Sequence, residues 1–208
     1  IGDGAAFLTI TGESCARRYG IELDAYRAEQ AAAVVDEIIH GDCLDVHCPV
    51  ESCGLAFLNP PYDWTAGETR SERTERVFLA HTYRWLKVGG VLVLVVPAVH
   101  VRECAEILAS QFKAIRIFRL TDPESVRYRQ VVVLATRRSR REREQLRDDD
   151  IVARRAQFAR IGGNYAQLVP LGDVGAPMYD VPESGPAKLE YRGLPLDEIE
   201  DLLPRSSA

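Results

Sequence analysis

The chain lacks the features that define several large classes of protein. None of its apolar runs reaches the roughly 20 residues that a membrane-spanning helix needs, and no segment resembles a signal peptide. An excess of positive charge is also missing: the net charge is -5, so any contact with nucleic acid requires a local basic surface. No internal repeat is evident. What remains is a chain of 208 residues, 46% of them hydrophobic, which is enough for one sizeable core.

Cysteine is scarce and shows no paired spacing. The five cysteines are an odd number, and no two of them form a Cys-x-x-Cys pair. This usage favours reduced thiols, and we therefore expect a cytoplasmic protein. A zinc site built from His40, Cys43, His47, Cys48 and Cys53 is an alternative, but its spacings do not match those of zinc knuckles, and we predict no metal site.

The most informative segment is Asn59-Pro60-Pro61-Tyr62, which closes the apolar run 55–58. An amino group conjugated to an aromatic ring is a poor nucleophile and needs acceptors around its two hydrogens. The side-chain oxygen of Asn59 is one acceptor, and the carbonyl of Pro60 is a second, because consecutive prolines have no N–H and a nearly fixed φ. Tyr62 offers a flat face on which a planar base can stack. The alternative interpretation is a turn that ends a strand.

Two earlier features have the order found in nucleotide-binding folds. Gly2 and Gly4 form a Gly-x-Gly ahead of an apolar stretch, a loop that lets backbone approach a ligand closely. The segment 19–24 is typical of a strand, and Glu22 lies near its end. A carboxylate at that position can accept hydrogen bonds from both hydroxyls of a ribose.

A third feature follows on the next predicted strand. The segment 38–43 is apolar at its start and ends in a loop that contains Asp42 and Cys43. An acid in this loop is suitably placed for the amino group of an adenine. Taken singly, Glu22 and Asp42 are typical of ordinary surface acids, so the prediction depends on their order along the chain.

Together with the segment 86–93, these motifs resemble those of the S-adenosylmethionine-dependent amino-methyltransferases. Members with Asn-Pro-Pro-Tyr are mainly adenine-N6 DNA methyltransferases, and the resemblance covers about residues 1–136. It implies S-adenosylmethionine as the cofactor. By position it also implies a role for each motif: the methionine end of the cofactor at Gly2 and Gly4, its ribose at Glu22, its adenine end at Asp42 and Cys43, and the target at Asn59, Pro60 and Tyr62.

The resemblance implies methyl transfer to the N6 amino group of adenine in DNA, with the target adenine flipped out of the duplex and stacked on Tyr62. Release-factor glutamine methyltransferases and some RNA-guanine methyltransferases use the same tetrapeptide, because a side-chain amide or a guanine amino group presents the same pair of hydrogens. A non-catalytic nucleic-acid-binding subunit with this fold is a third alternative.

The resemblance and the apolar pattern predict an α/β fold of the Rossmann-like methyltransferase type. Its sheet is expected to be mostly parallel and seven-stranded, with an antiparallel hairpin at one edge, and all the motifs are expected along one edge. Asp24 is predicted to cap the first helix, and Gly89-Gly90 to end the second. Strands are predicted at 19–24, 38–43, 55–58, 91–96, 114–119 and 130–136, and helices at 25–37, 72–86 and 99–112.

Composition suggests three regions. They are a catalytic domain over 1–136, a charged helical linker over 137–160 and a Gly/Pro-rich segment over 161–208. The linker begins with the basic run 137–143, which can neutralise phosphates; a solvated helix with local ion pairs is the alternative. The family's first strand has no counterpart ahead of Gly2, and we expect that strand to belong to an omitted segment.

Overall fold

The computed structural model describes residues 16–61, 74–173, 175 and 179–193. The chain divides into two compact units, the first drawn from Ile1–Pro49 together with Pro186–Ala208, the second from Val50–Gly185. The regions predicted from composition, with boundaries at 136 and 160, stay a prediction. In chain order the elements are β1 (Tyr19–Glu22), α1 (Ala25–Ala32), β2 (Glu37–His40), β3 (Val46–His47), β4 (Cys53–Leu58), α2 (Thr74–Thr82), β5 (Leu86–Pro97), α3 (Val101–Gln111), β6 (Phe112–Arg119), α4 (Glu124–Tyr128), β7 (Gln130–Arg137), α5 (Arg140–Glu144), α6 (Asp148–Ala159) and β8 (Glu190–Tyr191).

The first unit contains a pair of parallel strands joined by a helix. β1 and β2 run side by side until Glu22 lies opposite His40, so the two strands end together. α1 begins where predicted, because the Asp24 carboxylate accepts a hydrogen bond of 2.8 Å from the backbone N–H of Arg27. The helix ends at Ala32, earlier than the predicted residue 37. A second, antiparallel pair in this unit joins β3 to β8.

The second unit is built on a four-stranded sheet with the strand order β4-β5-β7-β6. β4 and β5 are parallel, whereas β7 is antiparallel to both of its neighbours. The predicted hairpin of the last two strands is therefore confirmed, and β6 forms the edge. The sheet itself is mixed, with one parallel and two antiparallel pairings among the described residues, so the mostly parallel arrangement is wrong for this sheet. The seven-stranded sheet stays a prediction.

The core of this unit lies against the two central strands. β5 and β7 are mostly apolar, and along much of their length buried residues alternate with partly buried ones, so one face of the sheet is more fully covered than the other. α3 packs its apolar stripe onto them, and Val101, Cys104 and Leu108 of this helix are fully buried. The core fixes the position of the strand ends, from which the candidate site projects.

The glycine pair Gly89-Gly90 does not end a helix, so that prediction is wrong. α2 is followed by a 3-10 turn over Tyr83–Trp85, and β5 already begins at Leu86. Gly89 has a φ of +80°, and the register of β4 against β5 shifts at this point. The two glycines therefore form an irregularity within β5, where a residue without a Cβ tolerates the backbone conformation.

The basic run that follows the sheet is only partly exposed. Arg137 and Arg138 are buried, and their guanidinium groups donate to backbone carbonyls, Arg137 to Arg84 at 3.0 Å and Arg138 to Phe112 at 2.8 Å. Arg140 is exposed but pairs with a glutamate one turn later in α5. The first two arginines are thus structural, which leaves the remainder of the run as the part that can reach solvent.

Candidate active site

The cofactor half of the predicted site lies at the carboxyl end of the β1–β2 pair. Glu22 is the last residue of β1, and Asp42 follows the end of β2 by two residues. The backbone N–H of Gly41 donates to the carbonyl of Glu22 at 2.9 Å, which ties the two strand ends together. The structure therefore brings Glu22, Asp42 and Cys43 to one edge, where ligands bind in open α/β sheets.

Glu22 is held in a fixed position. Its side chain is 8% exposed, and its Oε1 accepts a hydrogen bond of 3.1 Å from the backbone N–H of Asp24. The Arg27 guanidinium also lies 3.0 Å from this oxygen and is itself 55% exposed. A buried carboxylate fixed in this way suits a ligand hydroxyl better than a mobile surface acid does, because its orientation is set before binding.

The loop after β2 is also ordered locally. The Asp42 carboxylate accepts a hydrogen bond of 2.9 Å from the backbone N–H of Leu44, which caps a 3-10 turn over Cys43–Asp45. The ring of His40 lies 3.1 Å from the carbonyl of Leu23, which joins the two strand ends a second time. The loop thus has a defined backbone path on which an adenine could rest.

Cys43 is a neutral thiol in this loop. Burial, and to a smaller extent the charge of the neighbouring Asp42 carboxylate, raise its pKa to about 12. A thiol with this pKa carries a proton at neutral pH, so it is not a nucleophile. Its chemistry fits an uncharged contact and not a catalytic role, and its predicted role in cofactor binding stays a prediction.

The target half of the predicted site lies in the second unit, at the end of β4. Leu58 is buried in the sheet opposite Leu94 of β5. The chain then emerges at Asn59, which is exposed, and returns inward at Pro60, which is buried. The alternation aims the Asn59 side chain away from the core directly after the strand, in a segment that the prolines keep stiff.

The same edge of this sheet carries a second connection with cationic and aromatic side chains. β7 begins opposite Pro97, the last residue of β5, and the connection 120–129, which contains α4, precedes it. Within this connection Arg127 and Arg129 are exposed, and the Arg127 guanidinium lies 5.0 Å from the ring centroid of Tyr128. Cations and a flat ring beside the strand end are suited to phosphates and bases.

Several predicted site residues lie outside the described residues. They are Gly2, Gly4 and Tyr62. Their roles stay predictions. Sequence reasoning also missed Arg27, whose guanidinium pairs with Glu22. The signal was present, because an arginine in the first turn of a helix that follows an acidic strand end can reach back to it.

Two general features of the described ranges bear on other classes of site. Across these ranges no group of three or more His, Cys, Asp or Glu side chains is placed to hold a metal ion. In the same part of the chain no helix has the length and apolarity that a membrane crossing requires.

The sequence matches one protein family. The model of an uncharacterised methyltransferase family, DUF6094, matches residues 1–182. No curated protein matches the chain.

Solved structures of two bacterial proteins are among those similar to this one. A predicted O-methyltransferase from Agrobacterium tumefaciens is 19% identical, with a TM-score of 0.49 over 67% of this chain and 72% of that one. A protein from Listeria monocytogenes, predicted to be a class I S-adenosylmethionine-dependent methyltransferase, is 14% identical, with a TM-score of 0.57 over 79% of this chain. The match spans 62% of the Listeria protein, less than two thirds of its length. At this identity the similarity to the Listeria protein concerns the fold.

Proposed function

The chain belongs to the uncharacterised methyltransferase family DUF6094, and from this premise we propose that it transfers a methyl group from S-adenosylmethionine to the N6 amino group of adenine in DNA. The observation that carries the proposal is the way β4 ends: Asn59 is exposed directly after the buried Leu58, and Pro60 is buried again. In sequence, Pro61 and Tyr62 complete an acceptor site for an amino group on a planar ring.

The residues at the carboxyl end of β1 and β2 fit the cofactor. Glu22 is a buried carboxylate with a fixed orientation, which suits the two ribose hydroxyls. The capped loop at Asp42 offers an acceptor for the adenine amino group, and the neutral Cys43 thiol offers an uncharged neighbour. Gly2 and Gly4 are proposed to line the methionine end, on sequence grounds alone.

The chemistry divides between the cofactor and the chain. Bound S-adenosylmethionine supplies an electrophilic methyl group on a sulfonium. The Asn59 side-chain oxygen and the Pro60 carbonyl accept hydrogen bonds from the two amino hydrogens, so the nitrogen pyramidalises and directs its lone pair toward the methyl carbon. The sulfonium would supply the methyl group to this nitrogen and would leave as S-adenosylhomocysteine, and the nitrogen would release one proton to solvent. The two acceptors stabilise the transition state most, because positive charge develops on the nitrogen there.

DNA is the proposed partner because of the connection 120–129 at the same edge. Exposed Arg127 and Arg129 can neutralise phosphates next to the strand end, and Tyr128 adds a flat ring. The proposal assigns phosphate contacts to these two arginines; Asp122 and Glu124 of the same connection are exposed as well. A flipped adenine would then lie between Asn59 and Tyr62.

The experiment combines calorimetry with a methyl-transfer assay. S-adenosylmethionine is titrated into the full chain, and transfer of its labelled methyl group is then followed to DNA, to ribosomal RNA and to a glutamine-containing peptide. We expect binding with a Kd in the micromolar range and transfer to DNA alone. Transfer only to RNA or to peptide would refute DNA as the substrate. Absence of S-adenosylmethionine binding would favour a non-catalytic subunit.

The role of Asn59 has a matched control in the same chain. Asn59→Ala should abolish turnover and leave the Kd for S-adenosylmethionine unchanged, since the amide acts on the target. Asn164→Ala makes the same change at the other asparagine of the chain, an exposed residue in a loop, and should keep full turnover. Retained turnover in Asn59→Ala would rule out the acceptor mechanism.

A further inference from the structure

The C-terminal strand β8 packs against the loop that is proposed to hold adenine. A Cβ built on Gly41 would lie 2.7 Å from Cζ of Tyr191, closer than side chains approach in real structures. The tyrosine ring therefore occupies the space that a side chain at position 41 would need. Gly41 is buried, and its own N–H holds the end of β1. The ring thus touches the loop at its first residue.

The far end of the loop is held by the same strand. The backbone N–H of Arg192 donates to the carbonyl of Asp45 at 2.9 Å, and Tyr191 lies opposite Val46 in the β3–β8 pair. Gly193 is also close, since a Cβ there would lie 2.6 Å from both Cζ of Tyr191 and Oδ2 of Asp45. One aromatic ring is thus enclosed by two glycines, and both ends of the 41–45 loop are fixed by residues 191–193.

This support comes from outside the part of the chain that matches the family. The family match ends at residue 182, whereas β8 covers Glu190–Tyr191. We propose that Tyr191 is a positioning residue for S-adenosylmethionine, one that holds the Gly41–Asp45 loop in the conformation in which Asp42 and Cys43 meet the adenine. The inference rests on the proposed function, because it assigns the loop its ligand.

The physical reason is preorganisation. A loop that is already fixed loses less conformational freedom when a ligand binds, so contacts made behind the loop appear as ligand affinity. Removal of the ring leaves a void behind Gly41 and lets the loop sample other backbone paths. Removal of the ring therefore weakens cofactor binding and does not slow the methyl-transfer step, which takes place at the other end of the cofactor.

The test is a calorimetric titration of S-adenosylmethionine into the full chain and its variants. Tyr191→Ala should raise Kd about tenfold, equal to about 1.4 kcal/mol, with unchanged stoichiometry and with kcat preserved at saturating cofactor. Tyr191→Phe keeps the ring and should stay within about twofold of the wild type. Tyr179→Ala removes another half-buried tyrosine, in the second unit, and serves as the matched control with an expected Kd equal to that of the wild type.

A double-mutant cycle tests the contact itself. Gly41→Ala should weaken binding, because its Cβ collides with the ring, whereas Gly41→Ala combined with Tyr191→Ala should bind no worse than Tyr191→Ala alone. If the two substitutions weaken binding additively, the proposed contact between Gly41 and Tyr191 does not contribute to binding.

The outcomes separate this inference from the function on which it rests. Binding by the wild type with an unchanged Kd in Tyr191→Ala would overturn the positioning role and leave the proposed function intact. A lower stoichiometry with an unchanged Kd would mean partial unfolding and would also overturn it. No binding by the wild type would overturn the proposed function and, with it, this inference.

Discussion

Replacement of Glu22 by glutamine tests the cofactor half of the site at a single functional group. The change keeps the size of the side chain and one acceptor oxygen, and it removes the charge. Hydrogen bonds from the two ribose hydroxyls to a carboxylate are charge-assisted, and each such bond contributes about 1.5–3 kcal/mol. Since the amide retains one acceptor, the expected loss is about one such bond, equal to an increase in Kd of about tenfold to a hundredfold.

The structure also predicts that Glu22→Gln leaves folding nearly intact. The pair with Arg27 is lost, but that guanidinium is 55% exposed and water can solvate it. Because the arginine side of this pair is open to solvent, its loss should lower the free energy of unfolding by about 1 kcal/mol. The hydrogen bond from the N–H of Asp24 can be kept by the amide oxygen. A large change in Kd without a large change in the midpoint of thermal unfolding would therefore identify a binding effect.

The matched control is Glu37→Gln. Glu37 begins β2 and lies opposite Tyr19, at the amino end of the same strand pair, where it lies 3.7 Å from Arg17. It should leave Kd for S-adenosylmethionine unchanged. The assay is calorimetric titration of the wild type and both variants at one pH and ionic strength. If Glu22→Gln binds within twofold of the wild type, Glu22 does not hold the ribose.

Three further predictions concern the second unit. Arg137→Met should lower the free energy of unfolding by about 2–4 kcal/mol in urea titrations, because two backbone carbonyls lose a buried charged donor. The control Arg140→Met, at an exposed position, should change this free energy by less than about 0.5 kcal/mol. Gly89→Ala should lower the free energy of unfolding by about 1 kcal/mol, because Gly89 has a φ of +80° although its added Cβ would meet no neighbouring atom. Gly90→Ala should lower it more, because its Cβ would lie 2.8 Å from a backbone carbonyl oxygen, and equal losses in the two variants would contradict this description. Hydrogen bonds from a lysine ammonium and a backbone N–H lower the pKa of Glu142 from 4.5 to about 2, so its stabilising effect is present above pH 4.5 and is lost as pH falls toward 2. The difference in stability between the wild type and Glu142→Gln should shrink over that range, and a difference that grows on acidification would refute the assignment.

The local signals that predicted the fold were those whose partners lie close in sequence. Asp24 caps α1 through a residue three positions later, and the hairpin of β6 and β7 joins consecutive strands. Such contacts depend on propensities that a short segment carries by itself. The strand end at Asn59 was predictable for the same reason, because an apolar run followed by prolines has few alternatives.

The errors concern residues whose role depends on distant partners. Gly89-Gly90 carries the composition of a helix end and of a strand irregularity alike, and only the pairing of β5 with β4 distinguishes the two. Arg137 belongs to a run that suggests a solvated surface, yet it is buried because the backbone carbonyl groups that it satisfies come from a segment far earlier in the chain. The pairing of β3 with β8 could not be predicted, since two-residue strands have no detectable pattern.

The first unit is built from two separate stretches of chain, and this determines the order in which the two units can fold. Residues 50–185 contain their own sheet and core, so they can fold as soon as they have been synthesised. The β3–β8 pair must wait for residue 191, long after its first strand has left the ribosome. The 41–45 loop is therefore expected to be among the last parts of the chain to become ordered during synthesis. A chain that ends at residue 185 and has been released from the ribosome should accordingly show protease resistance in the sheet of the second unit and susceptibility at residues 41–45.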